Sequence, residues 1–275
     1  MKKILVPTDF SSFGKLAEKT AIDIAIKSNA AVEFIHLMDI PKYLSQSATA
    51  DNELPEELKS KIGAAHQYLN ELVQHAEQKG LKAKSYITET SGIEVIKNHV
   101  EQHEIDLIVI GSHGASGIKE AFLGSNTQRI LRSLSAPVLV IKNDLTANFK
   151  NIVFASTFKE DVHQAFAKIL NFVKIFESAV HLHYINMPYN FEDSATSSQR
   201  LLEFASQYPN HQFNQHIFNA FDEESGIIKF SKTHGIDLIA TTTHGKSGFM
   251  QMLSPSITES LANHSSIPVL SVNIK

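Results

Sequence analysis

Three glycines and a serine carry the first chemical signal in this chain: Gly111-Ser112-His113-Gly114 and, after nine intervening residues, Gly124-Ser125. The apolar run Leu107-Ile108-Val109-Ile110 precedes them, and a helical pattern from Asn126 to Ser133 follows. A buried strand that ends in a glycine-marked loop and leads into a helix is the place where an open α/β sheet binds phosphates. Glycine lets the backbone come close to an anion, and the first N–H groups of a helix have no partner within it. The chemistry on offer is anion binding. No Ser/His/Asp set and no Gly-x-Ser-x-Gly is present to suggest nucleophilic catalysis.

The segment recurs, altered, as Thr242-Thr243-His244-Gly245. Aligning His244-Gly245 with His113-Gly114 puts Thr242 on Gly111, Pro255 on Gly124 and Ser256 on Ser125. A branched Cβ then stands where a backbone would approach phosphate, and proline removes an N–H at the helix entrance. This copy is expected to bind an anion weakly or not at all. Gly245-Lys246-Ser247 looks like the end of a P-loop, but Ala240 stands where its first glycine belongs, so no phosphate-wrapping loop is expected. His181 and His183 alternate on one strand, yet spacing places no third ligand, so the fourteen histidines do not announce a metal site.

The elements that must position these residues come twice. Lys3–Phe10 matches Asn151–Phe158 at an offset of 148, and the second strand matches at 147 with His36 on His183. Ile105–Ile108 matches Ile236–Ile239, and Ala136–Val140 matches Ile267–Ser271, both at 131. This is a tandem duplication with its junction near Asn143 to Asn148, giving domains 1–143 and 149–275. In the first half, Ile4–Val6, Ala31–Met38, Lys82–Ile87, Leu107–Ile110 and Val138–Ile141 read as strands. Phe13, Leu16, Ala17, Thr20, Ala21 and Ile24 form one apolar helix face, as do Val162, Ala165, Phe166, Ile169, Leu170 and Val173. Pro55-Glu56-Glu57 is a helix start. Alternation of buried strands and helices predicts a doubly wound parallel sheet in each half, an α/β fold.

Composition narrows the function classes. The 275 residues suit two domains, and 43 % apolar content suits a globular core. A net charge of −4 gives no electrostatic case for nucleic acid or an anionic membrane surface. The absence of cysteine removes disulfides and thiolate chemistry. Pro7 and Asp9 break the N-terminal apolar run too early for a signal peptide, and no stretch reaches membrane-helix length. The expectation is a soluble cytoplasmic protein.

Pro7-Thr8-Asp9-Phe10-Ser11, the Gly-x2-Gly-x9-Gly-Ser spacing at 111–125 and the ending Ala136-Pro137-Val138-Leu139-Val140-Ile141-Lys142 together resemble the universal stress protein family across nearly the whole chain. The resemblance implies two five-stranded adenine-nucleotide-type domains in tandem, paired through their last strands, Val138–Ile141 and Val269–Val272. It implies ATP at Gly111, Ser112, His113, Gly114, Gly124, Ser125, Asn126 and Thr127 of the first half. Asp9, after Pro7 and Thr8, would face the ribose or a metal such as Mg²⁺, and Leu37 would lie along the adenine. The serine and threonine hydroxyls at 125 and 127 would add donors. Lys42 to Leu54 would serve either as a lid over nucleotide or as a surface loop. The implied function is a nucleotide-responsive regulator of stress response, with slow hydrolysis at most. The alternatives are a nucleotide-free interaction module and a nucleotide-processing enzyme. Dimerisation of the whole chain is left open.

Overall fold

The computed structural model describes residues 1–38, 55–88, 92–113, 123–243 and 256–274. The first half runs β1 (Lys3–Pro7), α1 (Ser12–Ser28), β2 (Ala31–Leu37), α2 (Glu56–Gln78), β3 (Ala83–Thr88), α3 (Ile93–His103), β4 (Leu107–Gly111), α4 (Ser125–Ser133) and β5 (Val138–Ile141). The second repeats it as β6 (Asn151–Ala155), α5 (His163–Phe176), β7 (Ala179–Asn186), α6 (Ser194–Ser206), β8 (Phe213–Asn219), α7 (Glu223–Thr233), β9 (Leu238–Thr243), α8 (Ile257–His264) and β10 (Val269–Asn273). The lost residues of the second half fall between its second and third strands, where α6 has 13 residues against 23 in α2.

All ten strands join one sheet in the order β3-β2-β1-β4-β5-β10-β9-β6-β7-β8. Pairing within each half is parallel, and the seam between β5 and β10 is antiparallel, with Val140 opposite Val269. The two parallel five-stranded sheets thus join through their last strands, Val138–Ile141 and Val269–Asn273, into a single mixed sheet. Helices cover both faces, so β4 and β5 are buried at every position, which is why they read as unbroken apolar runs.

One alignment is corrected. Ile4 pairs with Val32 and Ile152 with Val180, so the second strands correspond at 148, not 147. The counterpart of His183 is Ile35, and that of His36 is Tyr184. Strand residues alternate between faces, so a slip of one would invert the whole strand, and backbone pairing decides the register.

The turn after each first strand is built alike. Phe10 and Phe158 both take left-handed φ, +63° and +53°, which bulky residues adopt only when the surroundings hold them. The holding differs. In the first half, Thr8 Oγ1 donates to the buried Glu18 carboxylate, Tyr68 OH donates to its other oxygen at 2.7 Å, and Phe10 stacks on His36 at 4.2 Å. In the second half Phe166 stands in place of Glu18. Phe154, Phe158, Phe166, Phe204 and Tyr208 fill the space with aromatic contacts. A polar brace in one copy is an apolar plug in the other.

Candidate functional site

The carboxyl ends of β1, β2 and β4 and the start of α4 enclose one cleft. Of the sequence-predicted residues, Pro7, Thr8, Asp9, Leu37, Gly111, His113, Gly124, Ser125, Asn126 and Thr127 line it. Ser112 is fully buried beside it, and Gly114 lies outside the described residues. The proposed lid, Lys42 to Leu54, and His244, Gly245, Lys246, Ser247 and Pro255 lie outside them too.

The start of α4 sets the chemistry. Gly124 occupies the N-cap with no side-chain cap hydrogen bond, and the first helical bond runs from Gln128 N to Gly124 O at 3.0 Å. The N–H groups of Ser125, Asn126 and Thr127 therefore have no acceptor within the helix. Gly124 N donates to Ser112 O at 2.9 Å, which clamps the helix start to the strand end. In the second half Ser256 is itself the N-cap, and its hydroxyl accepts from Glu259 N at 3.2 Å. That copy satisfies one of its orphan donors internally, whereas the first leaves its own for something else.

Three expectations about individual groups are corrected. Gly111 was expected to be glycine so that backbone could meet phosphate. A Cβ there would instead lie 2.6 Å from the Phe13 carbonyl oxygen, so the close approach is by α1. The second half accommodates Thr242 by beginning its helix later: α1 starts at Ser12, but α5 starts at His163 rather than at the matching 160. Ser112 N donates to Ile141 O at 3.0 Å and is not free for a ligand, because the edge of the β4–β5 ladder extends through it. The Thr127 hydroxyl donates to Gly111 O at 3.0 Å, and Thr258 does the same to Thr242 O at 3.3 Å. That hydroxyl staples helix to strand in both halves, so it is not an extra ligand donor. The His113 ring packs 5.0 Å from Phe13 and shares a 2.8 Å hydrogen bond with Ser112 Oγ.

Asp9 is exposed at the rim, and its Oδ1 accepts from Ser11 N at 3.1 Å. Behind it Glu18 is only 3 % exposed; burial raises its pKa against the lowering pull of Thr8 and Tyr68. The sequence reading missed Glu18. Its signal was a carboxylate between Ala17 and Ala21 on a helix face otherwise apolar. It also missed Gly14, where a Cβ would stand 3.0 Å from Asp9 Oδ1 and 3.2 Å from Thr8 Oγ1; the matching residue in the other half is Val162. Ile35, Ile96, Ile110 and Ile130 complete an apolar floor. The cleft thus joins an apolar slot to a helix N-terminus and a carboxylate. Such a set can hold a flat apolar ring at one end and an anion at the other.

The universal stress protein family matches residues 1–142 and again 148–273. The chain belongs to that family, with two family units in tandem. Universal stress protein Slr1230 of Synechocystis sp. is 24 % identical over 295 residues, covering 98 % of this chain and 99 % of that one. Universal stress protein MJ0531 of Methanocaldococcus jannaschii is 33 % identical over 141 residues, 51 % of this chain and 82 % of that one. A crystal structure of a universal stress protein from Archaeoglobus fulgidus superposes with a TM-score of 0.77 at 21 % identity, covering 98 % of each chain. No helix among the described residues is long and apolar enough to cross a membrane.

Proposed function

We propose that the N-terminal half, residues 1–143, binds ATP in this cleft, and that the chain acts in the cytoplasm as a nucleotide-responsive regulator of stress response. The single observation that carries the reading is the uncapped N-terminus of α4, set between the Asp9 carboxylate and an isoleucine floor. Orphan N–H groups and the helix dipole favour phosphate, and the floor beside Leu37 suits adenine. Asp9, exposed at the rim, would meet a ribose hydroxyl or a phosphate-bound Mg²⁺. The C-terminal half, 149–275, is the silent partner: Ser256 caps its helix, and Val162 replaces the glycine beside the rim. Among the described lining residues there is no lysine or arginine to stabilise a transferring phosphoryl group, so ATP acts as a signal and turns over slowly if at all.

Calorimetric titration of nucleotide-stripped protein with ATP and Mg²⁺ tests this. The expected result is one site per chain, with native-state stabilisation of about 2.7 kcal/mol when free ATP reaches a hundred times its Kd. Two sites would overturn the assignment of a silent second half. No heat and no thermal shift would overturn nucleotide binding and favour an interaction module.

A further inference from the structure

Away from the cleft, α3 and β2 bring a second set of ligating atoms together. Glu33 Oε2 lies 2.7 Å from His99 Nε2 and 2.8 Å from His103 Nδ1, and the three ligand atoms all fall within 4.8 Å of one another. Among the described residues this is the one such group of three. His99 and His103 are one helical turn apart on α3 and present their rings to the same place, stacked at 3.9 Å. Glu33 comes from an inner strand paired on both sides, so its carboxylate is held by the sheet.

We propose that Glu33, His99 and His103 form a binding site for a divalent transition-metal ion, with Zn²⁺ the best match. Two imidazoles and one carboxylate are a borderline donor set that suits zinc and its neighbours, not Mg²⁺ or Ca²⁺, which take oxygen. Zinc holds nitrogen and oxygen at about 2.0–2.2 Å, which places tetrahedral ligands about 3.3 Å apart. The two distances from Glu33 Oε2 to the imidazole nitrogens need to open by only about half an ångström to admit the ion. Without metal, one carboxylate oxygen serves two imidazole N–H donors; the ion replaces those protons.

The surroundings support the same role. The side chains of Glu33 and His99 are 7 % and 9 % exposed, and that of His103 is 28 %, so the site is walled on the inside and open on one. Tyr86 packs edge-on against both rings, at 4.6 and 5.3 Å, and Lys3 Nζ donates to His103 O at 2.7 Å, pinning the helix end. Lys3, Lys82 and Lys84 line the surface recess beside His103.

The duplication supplies an internal control. The positions matching Glu33, His99 and His103 are His181, Phe230 and His234. The second half has neither the carboxylate nor the i, i+4 imidazole pair, so one ion per chain is expected. The site is also distinct from that of a nucleotide-bound Mg²⁺ at Asp9, because it needs no nucleotide.

Zn²⁺ titration of the nucleotide-free full chain, in competition with a chromophoric chelator, decides the matter. One equivalent should bind and raise the melting temperature. Glu33→Gln and His103→Gln should each weaken binding at least tenfold, and His99→Gln/His103→Gln should abolish it. His216→Gln in the second half should leave it unchanged. Co²⁺ in place of zinc should show ligand-field bands that the double variant lacks. His103 is partly exposed, so its variant folds, and circular dichroism checks this. The proposal is overturned by no bound equivalent in the unaltered chain, or by the same affinity in the double variant, which would put the metal on other histidines.

Discussion

Replacing His183 with isoleucine should stabilise the protein and remove much of its sensitivity to acid. The His183 ring is fully buried, stacks on Phe230 at 4.0 Å, and has no hydrogen-bond partner at either nitrogen. Burial drives its pKa down to about 3, with the nearby His216, His234 and His181 adding to the effect. The folded state keeps this imidazole neutral while the unfolded chain protonates near 6.5. Unfolded chains then bind the extra proton, so stability is present above pH 6.5 and is lost as pH falls towards 3. Between pH 7.5 and 5 the loss from this one group is about 2 kcal/mol. Isoleucine is the residue at the matching position, Ile35, so the strand accepts it. It also removes an unsatisfied buried polar group, worth roughly 1–3 kcal/mol at neutral pH. Urea unfolding at pH 7.5 and pH 5.0 measures both quantities. His181 and His216, also depressed by burial, leave the variant some acid dependence. The decisive quantity is therefore the difference between the two proteins. If they lose stability in parallel, or if the variant is weaker at pH 7.5, the reasoning fails.

Gly124→Val should lower ATP affinity at least tenfold while the fold is kept, because φ −56° and ψ 142° suit any residue and the poorer N-cap costs only about 1 kcal/mol; unchanged affinity in a calorimetric titration would refute the site. Asp9→Asn should weaken ATP binding more with Mg²⁺ than without it, and equal losses would remove the metal role. Thr127→Val and Thr258→Val should each cost about 1 kcal/mol in urea unfolding, since each hydroxyl makes the same staple. A large fall in ATP affinity for Thr127→Val without a stability cost would show that its hydroxyl serves the ligand instead.

Much of the fold was legible because its signals are local. A strand that ends, a glycine and a helix that begins are neighbours in sequence, so the residues around 111–127 and 7–9 could be placed at one sheet end. The floor of Ile35, Ile96, Ile110 and Ile130 was not legible, since which helix face turns towards a cleft is settled by packing. Gly111 shows that a right residue can be chosen for an incomplete reason: the constraint comes from Phe13, almost a hundred residues away. Matching His36 to His183 followed letter identity where hydrogen-bond register was the governing physics. The histidine pair on α3 could be seen as i, i+4 in sequence. Its carboxylate, 66 residues before His99, joins it only through the crossover between strands.

Arg132 of α4 reaches across the seam and grips the nearly buried carboxylate of Glu259 on α8 with two donors. Under the repeat, the mirror positions are Asn263 and Gln128, so the bond exists once and has no twin. Two identical subunits meeting about a two-fold axis must carry both halves of every contact on one surface and make each contact twice. A fused pair is released from that bargain. It can put the cation on one side and the anion on the other, so that neither half is self-complementary there. The consequence is fidelity: an N-terminal unit meeting a free copy of itself would set Arg132 against Gln128, and a C-terminal unit would bury Glu259 opposite Asn263. The duplication has made the two halves specific for each other, and mispairing between chains loses the contact that their own union keeps.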